Sequence, residues 1–105
     1  FECLISVAGK TGAAIVVRAM TDSAPGIVDG LRQALERSDP KECRRYAHIL
    51  KTNAKTVGAE ALARRLEQLE HLSEQGRLDE VRSGAVPALD QYEQLVEAMR
   101  KWAAA

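Results

Sequence analysis

The sequence predicts an all-α domain: an antiparallel, up-down bundle of four main helices with a short extra N-terminal helix. Three observations point there. No segment alternates apolar and polar residues with a period of two over a useful length, and nearly all apolar positions fit a helical period. Hydrophobic residues make up 46% of the chain but aromatic ones only 4%, so the core is aliphatic and suits packed helices. The connections between periodic segments are short, which favours antiparallel neighbours. A chain of 105 residues fits a single domain, 1–105, around one core.

The first segment, Phe1 to about Val7, is short and apolar and ends at Gly9. A long segment from about Ala13 to Arg37 follows, with Val16, Val17, Met20, Ile27, Val28, Leu31 and Leu35 as its apolar positions. Pro25-Gly26 interrupts it, and the proline, lacking an amide proton, is expected to kink or split the helix. Ser38-Asp39-Pro40-Lys41-Glu42 is a strong helix start: Asp39 can cap, Pro40 suits the first helical position, and Glu42 lies three residues after the cap. That helix runs to about Val57 and stops at Gly58, since glycine takes a left-handed backbone without strain. The next spans about Ala59 to Gln75 and stops at Gly76 in the same way. The last spans about Leu78 to Trp102, weakened in its first half by Gly84 and Pro87. Trp102 is expected to anchor it to the bundle, and the alanine tail to fray.

Composition excludes several classes of function. Fifteen basic and fifteen acidic residues give no bulk reason to bind nucleic acid or an anionic membrane. No apolar run approaches the roughly 20 residues of a membrane span, and no signal peptide is visible. The chain starts at Phe1 rather than Met, which fits excision from a larger protein and fits processing equally well. Cys3 and Cys43 lack the paired spacing of a zinc site and read as reduced, buried thiols. A disulfide between them stays open at this stage.

The helix over 39–57 carries the informative pattern. Cys43, Ala47, Leu50, Ala54 and Val57 recur at spacings of four and three and form the buried stripe. Beside it run Lys41, Arg44, His48, Lys51 and Lys55, four cations around one histidine. Like charges at this spacing repel by a few tenths of a kcal/mol per pair, a cost met by anions elsewhere in the fold or tolerated because an anion binds. The following helix supplies candidates. Leu62, Leu66, Leu69 and Leu72 form its core stripe, flanked by Glu67, Glu70 and Glu74. If the two helices fold back about Gly58-Ala59, positions whose numbers sum to about 118 face one another. His48 then faces Glu70, Lys51 faces Glu67, and Arg44 faces Glu74. A carboxylate at Glu70 could accept from the Nδ1–H of His48, fix the tautomer, and leave Nε2 as a nucleophile toward phosphorus. Lys51, one turn away, could offset charge on the transferring oxygens. His71 should point elsewhere on its helix, and Glu67 reads as a surface charge.

The sequence resembles the histidine-containing phosphotransfer (HPt) domains of multistep two-component phosphorelays. The resemblance rests on Ala47-His48-x-Leu50-Lys51, the Gly58-Ala59 pair, Leu62, and Leu66-x-x-Leu69-Glu70. It extends more loosely to Leu31-x-x-Ala34-Leu35 and Gly76-x-Leu78, and covers nearly the whole chain. It implies a phospho-acceptor helical hairpin over about 39–76 in a four-helix bundle, with His48 as acceptor, Lys51 as the phosphate-facing charge and Glu70 as the group that orients His48. It also implies an intermediate without autonomous kinase activity, matching the lack of a Gly-rich phosphate loop. The implied partners are receiver domains of response regulators and hybrid histidine kinases. No cofactor is expected in this domain, and Mg²⁺ is expected on the partner receiver. A monomer in the cytoplasm is expected, free-standing or as the C-terminal domain of a membrane-anchored hybrid sensor kinase. Ile49, Thr52, Lys55 and Arg44 are the candidate docking residues. Thr52 stands where the family usually has Gly or Ser, and Lys55 where a small residue is common, which bears on partner choice.

Two rival readings differ in kind. A di-metal bundle needs Glu-x-x-His on two helices, and neither His48 nor His71 has a Glu three residues before it. A degenerate helical interaction domain would keep the fold and lose the acceptor; here lysine, glycine and carboxylate all accompany the histidine.

Overall fold

The structure, a computed structural model, describes the backbone of residues 2–104 and the side chains of residues 4–104. Expectations for Phe1, Ala105 and the Cys3 thiol fall outside these. Four helices follow in order: α1 (Glu2–Glu36), α2 (Pro40–Thr56), α3 (Glu60–Glu74) and α4 (Leu78–Ala104). Each packs against the next in the chain, and α4 closes against α1. The result is a four-helix bundle with one aliphatic core.

In α1, Ala13, Val17, Met20, Ala24, Val28, Leu31 and Leu35 are buried at spacings of three and four, the stripe that a helix presents to a core. The helix is not split at Pro25; the only non-helical residue inside it is Gly9 (φ 73°, ψ 169°). The proline leaves the Thr21 carbonyl without its usual amide, but buried residues on both sides of it, Met20, Ala24 and Val28, hold the axis on course. A straight helix of 35 residues would span about 52 Å. The molecule measures 40 × 20 × 19 Å, so α1 does not run straight: it breaks at Gly9, and the part after the break is about as long as α4.

By length and composition alone, Leu4–Glu36 could cross a membrane, its most apolar stretch of 18 residues having a mean hydropathy of 1.3. Lys10 and Arg18 interrupt its apolar residues, so the helix passes on average composition and not as an apolar run. The helix nevertheless gives a full stripe to the bundle core.

Likewise α4 runs unbroken through Gly84 and Pro87, against the expectation of a weakened first half. Gly84 is a point of close approach: a Cβ there would sit 2.7 Å from Leu69 Cδ2 of α3. Gly30 of α1 does the same for the Tyr46 ring of α2, which a Cβ would overlap. Both glycines let helices meet closely. Tyr92 of α4 is fully buried, and its hydroxyl accepts from Asn53 Nδ2 of α2 at 3.2 Å. Trp102 packs half-buried at the edge of the core. Cys43 is a free, buried thiol, pushed above its ordinary pKa by burial and by the nearby Asp39.

The three turns share one motif. After α2, the amide of Ala59 donates to Ala54 O at 2.8 Å and that of Gly58 to Lys55 O at 3.0 Å. After α3, Arg77 donates to Leu72 O and Gly76 to Ser73 O, both at 3.0 Å. This paired pattern requires a left-handed residue, supplied by Gly58 (φ 80°) and Gly76 (φ 72°). After α1 the same two bonds form, Asp39 N to Ala34 O and Ser38 N to Leu35 O, but the left-handed residue is Ser38 (φ 53°). Arg82 Nη2 of α4 donates to Leu35 O and to Ser38 Oγ, each at 2.8 Å, and holds this corner. Ser38→Gly should therefore raise stability by roughly 0.5–1 kcal/mol, the relief of left-handed strain less one exposed hydrogen bond. A urea midpoint that falls in this variant, at unchanged slope, contradicts the account.

Candidate functional site

The site lies on the outer face of α2 where α3 folds against it. Asp39 caps α2, accepting from the Glu42 amide at 3.2 Å, with Pro40 in the first turn. Cys43, Ala47, Leu50 and Ala54 are completely buried, which fixes the rotation of the helix. His48, one residue past Ala47, is thereby turned outward, with its side chain 57% exposed.

Its Nδ1 lies 3.0 Å from Glu70 Oε2 on α3. Glu70 is itself buried, with 7% of the residue exposed. Burial pushes its carboxyl upward, but hydrogen bonding and charge from Lys51 and His48 outweigh this and hold it below the ordinary carboxylate range. An ionised carboxylate can only accept, so the His48 proton resides on Nδ1. Nε2 then keeps its lone pair, and among the described residues no hydrogen bond engages it. Thr52 donates from Oγ1 to the His48 carbonyl at 3.0 Å, one turn further along.

Lys51 Nζ lies 2.7 Å from Glu70 Oε1, and its side chain is only 13% exposed. Oε1 is buried, and among the described residues no donor other than the Lys51 ammonium satisfies it. One buried carboxylate thus holds both an imidazole and an ammonium. The expectation that Lys51 faces Glu67 is corrected. A helical side chain leans toward the N-terminus of its helix, which brings the long Lys51 stem back to the level of His48 and so to Glu70. Glu67 is half-buried. Arg44 does meet Glu74, at 2.6 Å, with both side chains about half exposed; such a pair contributes about 0–1 kcal/mol.

Of the other sequence candidates, Lys55 is exposed and Ile49 half-buried. Ile49 lies with Lys41, Arg44 and His48 along a shallow cleft of about 370 Å³. Sequence reading passed over Arg45 in the same cleft, which pairs with Glu42 at 2.8 Å and lies over the Tyr46 ring, 4.5 Å from its centroid. It also passed over the burial of Glu70. The signal was present: Leu66, Glu70 and Ser73 continue a spacing of four and three, and all three are buried. His71 points away, 63% exposed and 3.8 Å from Glu74.

The sequence matches the family model of the Hpt domain over residues 16–102. The chain belongs to the Hpt domain family. No curated protein and no solved structure matches it closely enough to add a relative. Hpt domains are phosphotransfer modules rather than kinases; they carry phosphoryl groups on histidine in phosphorelays and interact with receiver domains.

The depressed pKa of Glu70 links this Hpt domain's stability to pH. The folded state binds this proton less readily than the unfolded chain, so the contribution is full above the ordinary carboxylate pKa of about 4.3. It is lost as pH falls through the lower folded-state value. Acidification from neutral should lower the urea midpoint in this window, and Glu70→Gln should flatten that fall. Equal acid sensitivity in the two proteins counts against Glu70 as the titrating group.

Proposed function

We propose that His48 Nε2 accepts a phosphoryl group from the aspartyl phosphate of one receiver domain and passes it to the aspartate of another, in a multistep two-component phosphorelay. The observation that carries this reading is the outward imidazole whose Nδ1–H is tied to a buried carboxylate, leaving Nε2 open. In the forward step the Nε2 lone pair forms the N–P bond. The P–O bond of the acyl phosphate breaks, and its electron pair returns to the aspartate carboxylate. Nδ1 keeps its proton, so the phosphorylated ring is cationic and Glu70, 3.0 Å away, offsets that charge. Such transfer needs mainly position and electrostatics. The receiver brings Mg²⁺. Arg44, Ile49, Thr52 and Lys55 surround the acceptor and form the docking face, with Lys55 biasing partner choice. The helices run up and down in turn, residues 2–8 forming the short extra helix, and the domain acts as a monomer on the cytoplasmic side, free-standing or within a hybrid sensor kinase.

The test is phosphotransfer from a panel of ³²P-labelled receivers with Mg²⁺. An acid-labile, alkali-stable label on the domain is expected from at least one. No label from any receiver, together with receiver binding, would establish the degenerate interaction domain instead.

A further inference from the structure

We infer that Glu70 is a positioning residue for Lys51 as well as for His48: in the unmodified domain it stores the Lys51 ammonium, and phosphorylation of His48 releases that ammonium to the phosphoryl oxygens. This rests on the reading of His48 as the acceptor.

The resting geometry does not place Lys51 as a ready phosphate ligand. Its Nζ sits on Glu70 Oε1 at 2.7 Å, with the side chain 13% exposed, whereas Arg44 on the same face is 54% exposed. Among the described residues Oε1 has no other group to satisfy it, so the carboxylate and the ammonium hold each other. Glu70 meanwhile uses Oε2 for His48 Nδ1. The two donors share one negative charge.

Phosphorylation changes that balance. With phosphoramidate as donor, the Nε2–P bond forms, the N–P bond of the reagent breaks, and ammonia leaves. His48 retains its Nδ1 proton, so the ring becomes a cation beside Glu70, and the new phosphoryl group carries nearly two negative charges at neutral pH. The ring cation now engages the carboxylate more strongly, and the phosphoryl oxygens compete for Lys51. Lys51 lies three residues from His48, hence on the same face, and its flexible four-carbon stem can swing where an arginine fork would be held by geometry. Release of Lys51 is thereby coupled to arrival of the phosphoryl group.

Glu70→Gln separates the two roles. The amide carbonyl still accepts from Nδ1–H, but no charge remains to store Lys51. The experiment is side-chain ammonium ¹⁵N NMR with ³¹P NMR on wild type, Glu70→Gln and Lys51→Gln, before and after treatment with phosphoramidate. In wild type, a protected Lys51 ammonium resonance is expected before treatment, moving to a new position after it. In Glu70→Gln the protected resonance should be missing before treatment and present after. In Lys51→Gln the phosphohistidine ³¹P resonance should shift from its wild-type position. A wild-type Lys51 resonance that stays put on labelling, with an unchanged ³¹P shift in Lys51→Gln, overturns the inference and leaves the relay reading standing. Failure of phosphoramidate to label His48 removes both.

Discussion

His48→Gln should abolish labelling by every receiver and by phosphoramidate while leaving the domain folded. The side chain is 57% exposed and sits outside the core stripe of α2, so its replacement opens no cavity. What is lost in stability is the bond to Glu70, about 1 kcal/mol or less, because a glutamine amide can still donate toward Oε2 and Lys51 still holds Oε1. A loss confined to labelling, with the urea midpoint close to wild type, separates the acceptor from the scaffold. Persistent label in this variant would move the acceptor elsewhere. The only other histidine is His71, which lies one turn short of Glu74 and lacks a buried carboxylate partner.

Much of this site was legible in the chain. The stripe Cys43, Ala47, Leu50 and Ala54 fixed which way His48 turns, and the glycine stop at residue 58 fixed the hairpin register closely enough to pair His48 with Glu70 and Arg44 with Glu74. Both pairings depend on backbone position. Lys51 was misassigned to Glu67 because a pairing rule that counts backbone positions ignores the reach and backward lean of a long side chain. Pro25 was read as a kink or split, and Gly84 and Pro87 as weak points, for a related reason: local propensity weakens a helix, but the buried residues flanking them, Ala24 and Val28 in α1, Ala85 and Ala88 in α4, keep it whole. The left-handed turn at Ser38 gave no signal, since serine is not the residue that such a turn ordinarily selects.

Glu70→Ala should damage function and fold together, and the way it does so tests whether one carboxylate serves two partners. Without it, nothing fixes the His48 tautomer, and the ring can present a protonated Nε2 that has no lone pair to offer. The developing imidazolium also loses its counter-charge. Transfer should slow by roughly tenfold to a hundredfold, about 1.4–2.7 kcal/mol of barrier. Stability should fall by about 1–3 kcal/mol, since Lys51 is left with its charge in a largely covered position, though its stem can extend toward water. Lys51→Ala should cost a similar amount of stability for the mirror-image reason: Glu70 Oε1 would be buried with no partner at all. Each single variant leaves one charge stranded, but the double variant leaves neither. The stability losses should therefore be clearly less than additive in a double-mutant cycle, while the double variant should transfer no faster than Glu70→Ala. Additive stability losses would mean that the 2.7 Å contact between the two side chains carries no coupling in solution, and Lys51 would then act on the phosphoryl group independently of Glu70.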